Sequence, residues 1–206
     1  MSQLAFYFDA TACTYCKACQ LACQDKNQLA PNQLWRRVIP YTGGGWTIQD
    51  GFHVPNNFFT YAVSIACNHC ERPICAEVCP TKAISKRDDG VVLIDQSKCI
   101  GCRYCEWACP YGAPRIDEEA GVMTKCTFCE DLLAQGQNPA CVDACVMRAL
   151  DFGPLEELRA KYGTVDAIEP LPLSNLTQPA LVITPHKHAQ PSGTGTGKID
   201  ILEEAL

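Results

Sequence analysis

Sixteen of the 206 residues are cysteine, and they fall into four groups of four with none outside. The groups are Cys13, Cys16, Cys19, Cys23; Cys67, Cys70, Cys75, Cys79; Cys99, Cys102, Cys105, Cys109; and Cys126, Cys129, Cys141, Cys145. A disulfide needs a particular separation and direction of two Cβ vectors, so cysteines packed within single turns are poorly placed to bridge one another. They are well placed to converge on metal. Groups one and three read C-x2-C-x2-C-x3-C, group two C-x2-C-x4-C-x3-C and group four C-x2-C-x11-C-x3-C, a fourfold internal repeat with insertions.

A zinc site would use two cysteines per knuckle and leave the third of C-x2-C-x2-C without a purpose. A thioredoxin-like pair needs a single CxxC near a βαβ pattern. The run C-x2-C-x2-C-x3-C-P is instead the spacing of bacterial two-cluster ferredoxins. There, three cysteines wrap one cubane while the fourth begins a helix that leads to the neighbouring cluster. Two motifs then make one two-cluster unit, and four motifs make two units carrying four 4Fe-4S clusters. Spacing alone does not pair the motifs. Groups two and three are adjacent and both end in Cys-Pro, at Pro80 and Pro110, so joining them is the economical choice; groups one and four then form the outer unit.

The formal charge of −6 counts every cysteine as neutral. Sixteen thiolates around four cores of charge 2+ would bring the total to about −14. That sign argues against nucleic acid, whose phosphates seek cations. It draws attention to Lys17, Arg72, Lys98, Arg103, Lys125 and Arg148, inside or beside the cysteine groups, although most such side chains are expected to be ordinary solvated cations. The opening MSQLAFYF carries no secretory pattern, and apolar runs such as VVLI at 91–94 are too short for a membrane span.

The expected fold is α+β: two bacterial-ferredoxin-like two-cluster modules, a hairpin insertion and an extended C-terminal arm. Residues 1–30 with 115–150 make the outer module, 31–62 the insertion, 63–114 the inner module and 151–206 a helix followed by the arm. LAFYFD at 4–9 and VVLID at 91–95 have strand character, and Asp89-Gly90 marks a hairpin turn. CQLACQDKNQL at 19–29 reads as a short helix. In YTGGGW three glycines would make the turn of the insertion. PLEELRAKYG reads as an amphipathic helix ended by a Gly. Prolines 170, 172, 179, 185 and 191 leave room for one short strand, PALVITP, in an arm that should lie on something.

Weaker signals have plain readings. His69 lies between Cys67 and Cys70, but a Rieske centre needs two His on one iron, so a role beside the cluster or at the surface is expected. Trp107 is expected to pack. Arg36-Arg37 reads as an ordinary basic pair on the insertion. GTGTGK at 193–198 has Ile199 where a phosphate loop needs a hydroxyl and reads as flexible tail. No Ser-His-Asp set, carboxylate pair or dinucleotide fingerprint stands out, so no catalytic site is expected.

Nearly end to end, through CTYCKACQLAC, YTGGGW, SIACNHCERPICAEVCP, CIGCRYCEWACPYGAPR, MTKCTFCEDLL and RALDFGPLEELRAKYG, the chain resembles the four-cluster iron-sulfur subunit of complex iron-sulfur molybdoenzymes, most closely that of the respiratory dimethyl sulfoxide reductases. The resemblance implies four ligand sets: Cys13, Cys16, Cys19 and Cys145; Cys23, Cys126, Cys129 and Cys141; Cys67, Cys70, Cys75 and Cys109; and Cys79, Cys99, Cys102 and Cys105. The first would lie nearest a molybdopterin catalytic subunit, the last nearest a membrane anchor with a quinol site. Cys102 stands where the related nitrate reductase subunit has a Trp and a three-iron cluster, so four irons are implied. Tyr15 replaces a usual Gly, and Val146 a frequent Pro. The implied function is electron transfer in anaerobic respiration, with reduction of dimethyl sulfoxide or a similar S- or N-oxide by the partner. The implied place is the periphery of the cytoplasmic membrane, on the periplasmic face by co-export with the catalytic subunit. The competing expectation is a free-standing polyferredoxin that shuttles electrons between soluble oxidoreductases, which would have little use for the long arm.

Overall fold

The computed structural model describes residues 2–199. Met1 and residues 200–206, the ends of the first predicted module and of the predicted arm, lie outside them. The class is α+β. Strand β1 (Leu4–Asp9) is followed by helix α1 (Ala18–Lys26), the long strands β2 (Arg37–Gln49) and β3 (Phe52–Ile65), and helix α2 (Ile74–Glu77). Then come β4 (Ile84–Lys86), β5 (Val92–Ile94), α3 (Tyr104–Ala108), β6 (Arg115–Asp117) and β7 (Val122–Thr124). The remainder is α4 (Glu130–Leu133), α5 (Ala140–Asp143), β8 (Leu150–Pro154), α6 (Leu155–Tyr162), β9 (Leu181–Thr184) and β10 (Lys198–Ile199).

Strand β1 is the middle of a three-stranded sheet, antiparallel to β8 and parallel to β9. Side chains alternate across a strand, and both faces of β1 are covered. Ala5 and Tyr7 pack with Leu155 and Leu158 of α6 and with Val182. Phe6 and Phe8 turn the other way, into a core that includes Cys19, Cys126, Cys141 and Cys145. Phe6 stacks on Phe128 with ring centroids 4.1 Å apart. The sheet is thus a wall with a helix on one side and cysteines on the other.

The predicted hairpin at Asp89-Gly90 is β4–β5, with Ile84 opposite Ile94. A second small hairpin, β6–β7, sets Arg115 opposite Thr124. The insertion is also a hairpin, but its turn is elsewhere than expected. Gly43–Gly45 lie inside β2 at a bulge in the register, and the chain reverses at Asp50-Gly51. Both turn residues have positive φ, 50° and 82°, as a tight two-residue turn between twisted strands demands. Gly44 serves the bulge: its φ is +85°, and a Cβ there would lie 2.3 Å from the Asn57 carbonyl oxygen.

The arm lies on its own chain. Strand β9 completes the first sheet, and β10 adds to β2. The backbone N–H groups of Glu71 and Arg72 donate to the carbonyls of Gln178 and Thr177, and the Tyr61 hydroxyl donates to Glu169 O at 2.7 Å. The GTGTGK segment is held rather than loose. Gly193 and Gly195 N–H both donate to the Glu169 carboxylate, and Gly197 N–H donates to the Tyr41 hydroxyl.

Leu181, Val182 and Ile183 are buried on both faces of the sheet, so β9 is core. Ile183→Ala is expected to cost about 2–5 kcal/mol, seen as a lower urea midpoint. A shift under about 0.5 kcal/mol would mean that the arm is dispensable.

Candidate metal centre

The fourfold repeat is written into the backbone. The residue before the second cysteine of each group has positive φ: Tyr15 at 60°, His69 at 42°, Gly101 at 66° and Phe128 at 61°. This left-handed kink lets a short loop fold its cysteines toward one point. It also explains Tyr15, which adopts the conformation a Gly would take more readily. After the last cysteine of groups two, three and four a second shared turn appears. Lys82, Gly112 and Arg148 have φ of 51°, 57° and 53°, and their N–H groups donate to the carbonyls of Cys79, Cys109 and Cys145. Val146 occupies that turn without disturbing it.

The helices then divide each group. Helix α1 packs against α5, and α2 against α3. Cys19 and Cys23 lie one turn apart on α1, while Cys141 lies on α5 with Cys145 just beyond its end. One cavity is lined by Cys13, Cys16, Cys19 and Cys145, a second by Cys67, Cys70, Cys75 and Cys109, and a third by Cys79, Cys99, Cys102 and Cys105. The spaces they enclose, mouths included, are about 320, 370 and 290 Å³. The remaining four, Cys23, Cys126, Cys129 and Cys141, act on one another electrostatically: Cys23 feels Cys141 and Cys129, and Cys126 feels Cys23 and Cys141. Among the described residues no three His, Cys, Asp or Glu side chains converge closely enough for a single metal ion.

The donors around the cavities suit a sulfur-rich anionic occupant. Asn68 Nδ2, His69 Nε2, the Tyr111 hydroxyl and the Thr177 hydroxyl are buried without a hydrogen-bond partner among the described residues, and all four residues line the cavity of Cys67, Cys70, Cys75 and Cys109. Such donors are costly unless something accepts from them. Backbone N–H groups also point at cysteine sulfur: Ala113 at Cys109, Ala149 at Cys145, Met123 at Cys99 and Phe128 at Cys126, at 3.2–3.4 Å. A cubane of iron and sulfide fits this donor set.

His69 is fully buried, which rules out the surface alternative. Burial first, then Lys125 and Arg36, hold its pKa well below the usual value, and Val92 N–H donates to Nδ1 at 3.0 Å. The ring is neutral with its proton on Nε2, facing the cavity it lines. Of the six cations beside the motifs, Lys98 and Arg103 form solvated pairs with Asp95 and Glu106. Lys125 is buried, with Nζ donating to the carbonyls of Val92 and Cys126.

Two expectations fail here. Trp107 is 72% exposed: Cys105 faces inward from α3, and a residue two positions along a helix faces away. The basic pair is 2% and 3% exposed at Arg36 and Arg37. Arg36 Nη1 donates to Ser64 Oγ at 3.1 Å, and Arg37 donates to the carbonyl of Tyr111. Nothing in the local sequence distinguishes this pair from a surface pair. Its surroundings are brought from distant motifs: Cys19, Cys23, Cys126 and Cys141 around Arg36, and Cys109 and Arg115 around Arg37.

These features define an iron-sulfur electron-transfer protein. Residues 58–155 match the 4Fe-4S dicluster domain family. The chain is 49% identical to the B subunit of the anaerobic dimethyl sulfoxide reductase of Escherichia coli (strain K12) over 95% of each chain, and 51% identical to that of Haemophilus influenzae over 96% of each. It is 37% identical to the B subunit of the polysulfide reductase of Wolinella succinogenes over 87% of this chain and 92% of that one. The chain belongs to the family of dimethyl sulfoxide reductase B subunits, which are iron-sulfur subunits, and it carries 4Fe-4S clusters.

Without iron many of the thiols resist ionisation. Burial pushes Cys13 and Cys105 up to about 11 and Cys23 and Cys70 up to about 12, and drives Cys75 and Cys126 up strongly. Cys79 moves down: burial opposes its ionisation, but the Thr81 hydroxyl and the N–H groups of Ile84, Ala83 and Thr81 outweigh it. A thiol pKa raised by folding gives stability that is complete below the ordinary value near 9 and is lost as pH rises through the folded value. The cluster-free chain is therefore expected to lose thermal stability between about pH 9 and pH 12, with the thiolate absorbance of Cys13, Cys105, Cys23 and Cys70 growing only around pH 11 to 12. Ionisation of all thiols centred near 9 would contradict the burial.

Proposed function

We propose that this chain conducts electrons along four 4Fe-4S clusters, from a quinol-oxidising membrane anchor to a molybdopterin catalytic subunit that reduces dimethyl sulfoxide or a similar S- or N-oxide. The ligand sets are Cys13, Cys16, Cys19, Cys145; Cys23, Cys126, Cys129, Cys141; Cys67, Cys70, Cys75, Cys109; and Cys79, Cys99, Cys102, Cys105. The observation that carries this reading is the lining of three cavities by four cysteines each, always three from one motif and one from its paired motif. Residues 1–30 with 115–150 form the outer module, 31–62 the insertion, 63–114 the inner module, and 151–206 the helix and arm.

Each cluster, when bound, accepts and passes one electron at a time. The protein's own part is to hold the clusters in sequence. Cys19 and Cys23 on α1 tie the first set to the second, and Cys75 with Cys79 at α2 ties the third to the fourth. Cys126 feels Cys67 electrostatically, so the second and third sets meet there.

Both ends carry exposed apolar side chains. Ile100, which lines the cavity of Cys79, Cys99, Cys102 and Cys105, is exposed with Tyr104 and Trp107 beside it. Met147, which lines the cavity of Cys13, Cys16, Cys19 and Cys145, is exposed with its neighbour Val146. The first patch suits the membrane anchor, the second the catalytic subunit. Among the described residues no helix is long and apolar enough to cross a membrane, so attachment would come from that anchor, at the periplasmic face after co-export with the catalytic subunit. The arm does not decide between this reading and a soluble polyferredoxin, because it is spent on the chain's own sheets. The exposed ends favour fixed partners.

Anaerobic purification from membranes is expected to give about 16 cubane irons from this chain with stoichiometric molybdenum. The same iron in the soluble fraction without molybdenum would favour the shuttle. Cys102→Ser is expected to convert one cluster to a three-iron form or lose it, with quinol-linked turnover impaired. Four intact spectra and normal turnover would sink the ligand assignment.

A further inference from the structure

Arg36 is buried at the base of the insertion, immediately before β2. Its guanidinium lies over the Phe6 ring, 4.7 Å from the centroid, and Nη1 donates to Ser64 Oγ. Among the described residues Nε and Nη2 have no hydrogen-bond partner. Burial works against its charge, and its electrostatic neighbours are Cys141, Cys19, Cys126 and Cys23. A buried cation is tolerated only beside compensating negative charge. Here that charge comes from cysteines, three of them in one proposed ligand set and Cys19 in the next.

We infer that Arg36 is the shared charge partner of the two outer-module clusters and sets both of their reduction potentials. The inference rests on the ligand sets proposed above. Each electron taken up adds a negative charge, and a fixed cation in a low-dielectric site stabilises the reduced form more than the oxidised one. Nε–H and Nη2–H are free donors for sulfur of either cluster. Ser64 extends the effect in one direction only. Its oxygen accepts from Arg36, so its proton is directed to Cys19 Sγ, 3.4 Å away, where a metal-bound thiolate can only accept. Ser64 also lines the cavity of Cys13, Cys16, Cys19 and Cys145. Arg36 thus acts on two clusters and Ser64 on one.

The adjacent Arg37 does not share the task. It points to the other side of the strand, where Cys109 and Arg115 are its electrostatic neighbours. Burial, then Arg115, lowers its pKa to about 10.

The test is a redox titration followed by electron paramagnetic resonance on the membrane complex, purified anaerobically with Arg36→Met, Arg36→Lys or Ser64→Ala in this chain. With iron retained, Arg36→Met is expected to lower two cluster potentials and leave two unchanged. Arg36→Lys is expected to restore most of the loss, and Ser64→Ala to lower one of the same two. Four unchanged potentials in Arg36→Met would overturn the inference, as would Arg36→Lys shifts equal to those of Arg36→Met. If Arg36→Met loses iron, Arg36→Lys and Ser64→Ala decide: a lowering by Ser64→Ala of neither or of both potentials overturns it. Cys19→Ser and Cys126→Ser test the underlying sets separately. They are expected to alter two different clusters, and if both alter the same one, the ligand assignment fails whatever Arg36 does.

Discussion

The bond between cysteine sulfur and iron is the interaction on which the rest of this structure depends. Most of the sixteen cysteines are buried or partly buried, and many sit among the core side chains with Phe8, Phe128 and Val142. The helices that present them are short, four residues in α2, α4 and α5, well below the length at which an isolated helix is stable in water. Their order therefore comes from tertiary ties. Thiols at the centre of such a core, kept neutral by burial, give weak packing on their own and strong ties once they hold metal. Cofactor binding therefore strengthens the same core that the cysteines help to form.

That arrangement gathers negative charge where the dielectric is low, and the protein answers it with a few buried cations and oriented dipoles. Solvated pairs such as Lys98 with Asp95 are worth little. Lys125 and Arg36 are different because they are buried. An unpaired guanidinium or ammonium in such a place would cost several kcal/mol, so their positions record where the anionic groups must be. Backbone N–H groups on Cys99, Cys109, Cys126 and Cys145 sulfur supply the same compensation in smaller portions.

Much of this could be read from the sequence because it is local. Cysteine spacing, the Asp89-Gly90 turn and the apolar pattern of 4–9 each act within a few residues, and each has its counterpart in the fold. The failures are of another kind. Gly43–Gly45 look like a turn, but the register is set by Asp50-Gly51, whose paired positive φ angles match strand twist, while Gly44 is needed for close approach to Asn57. Trp107 looks like a packing residue because it is aromatic, yet its side of α3 is decided by Cys105. The GTGTGK segment lacks every local reason for order, and its order comes from Glu169, 24 residues before Gly193. That each cavity takes three cysteines from one motif and one from another follows from spacing, but which motif supplies the fourth does not.

The insertion illustrates how a local sequence acquires its meaning from topology. It lies in the chain between the first cysteine group and the second, so its strands leave one proposed module and arrive at the other, with Ile65 two residues before Cys67. Two neighbouring side chains at a strand's start face opposite sides. At this boundary the opposite sides face the two proposed modules: Arg36 turns to Cys19, Cys23, Cys126 and Cys141, and Arg37 to Cys109 and Tyr111. A long hairpin rooted at that seam gives the pair a fixed support, since Val38 and Ile39 beside it are core residues. Two adjacent arginines anywhere else in this chain would repel one another in solvent. Placed there, the alternation of a single strand separates them and delivers one positive charge to each side.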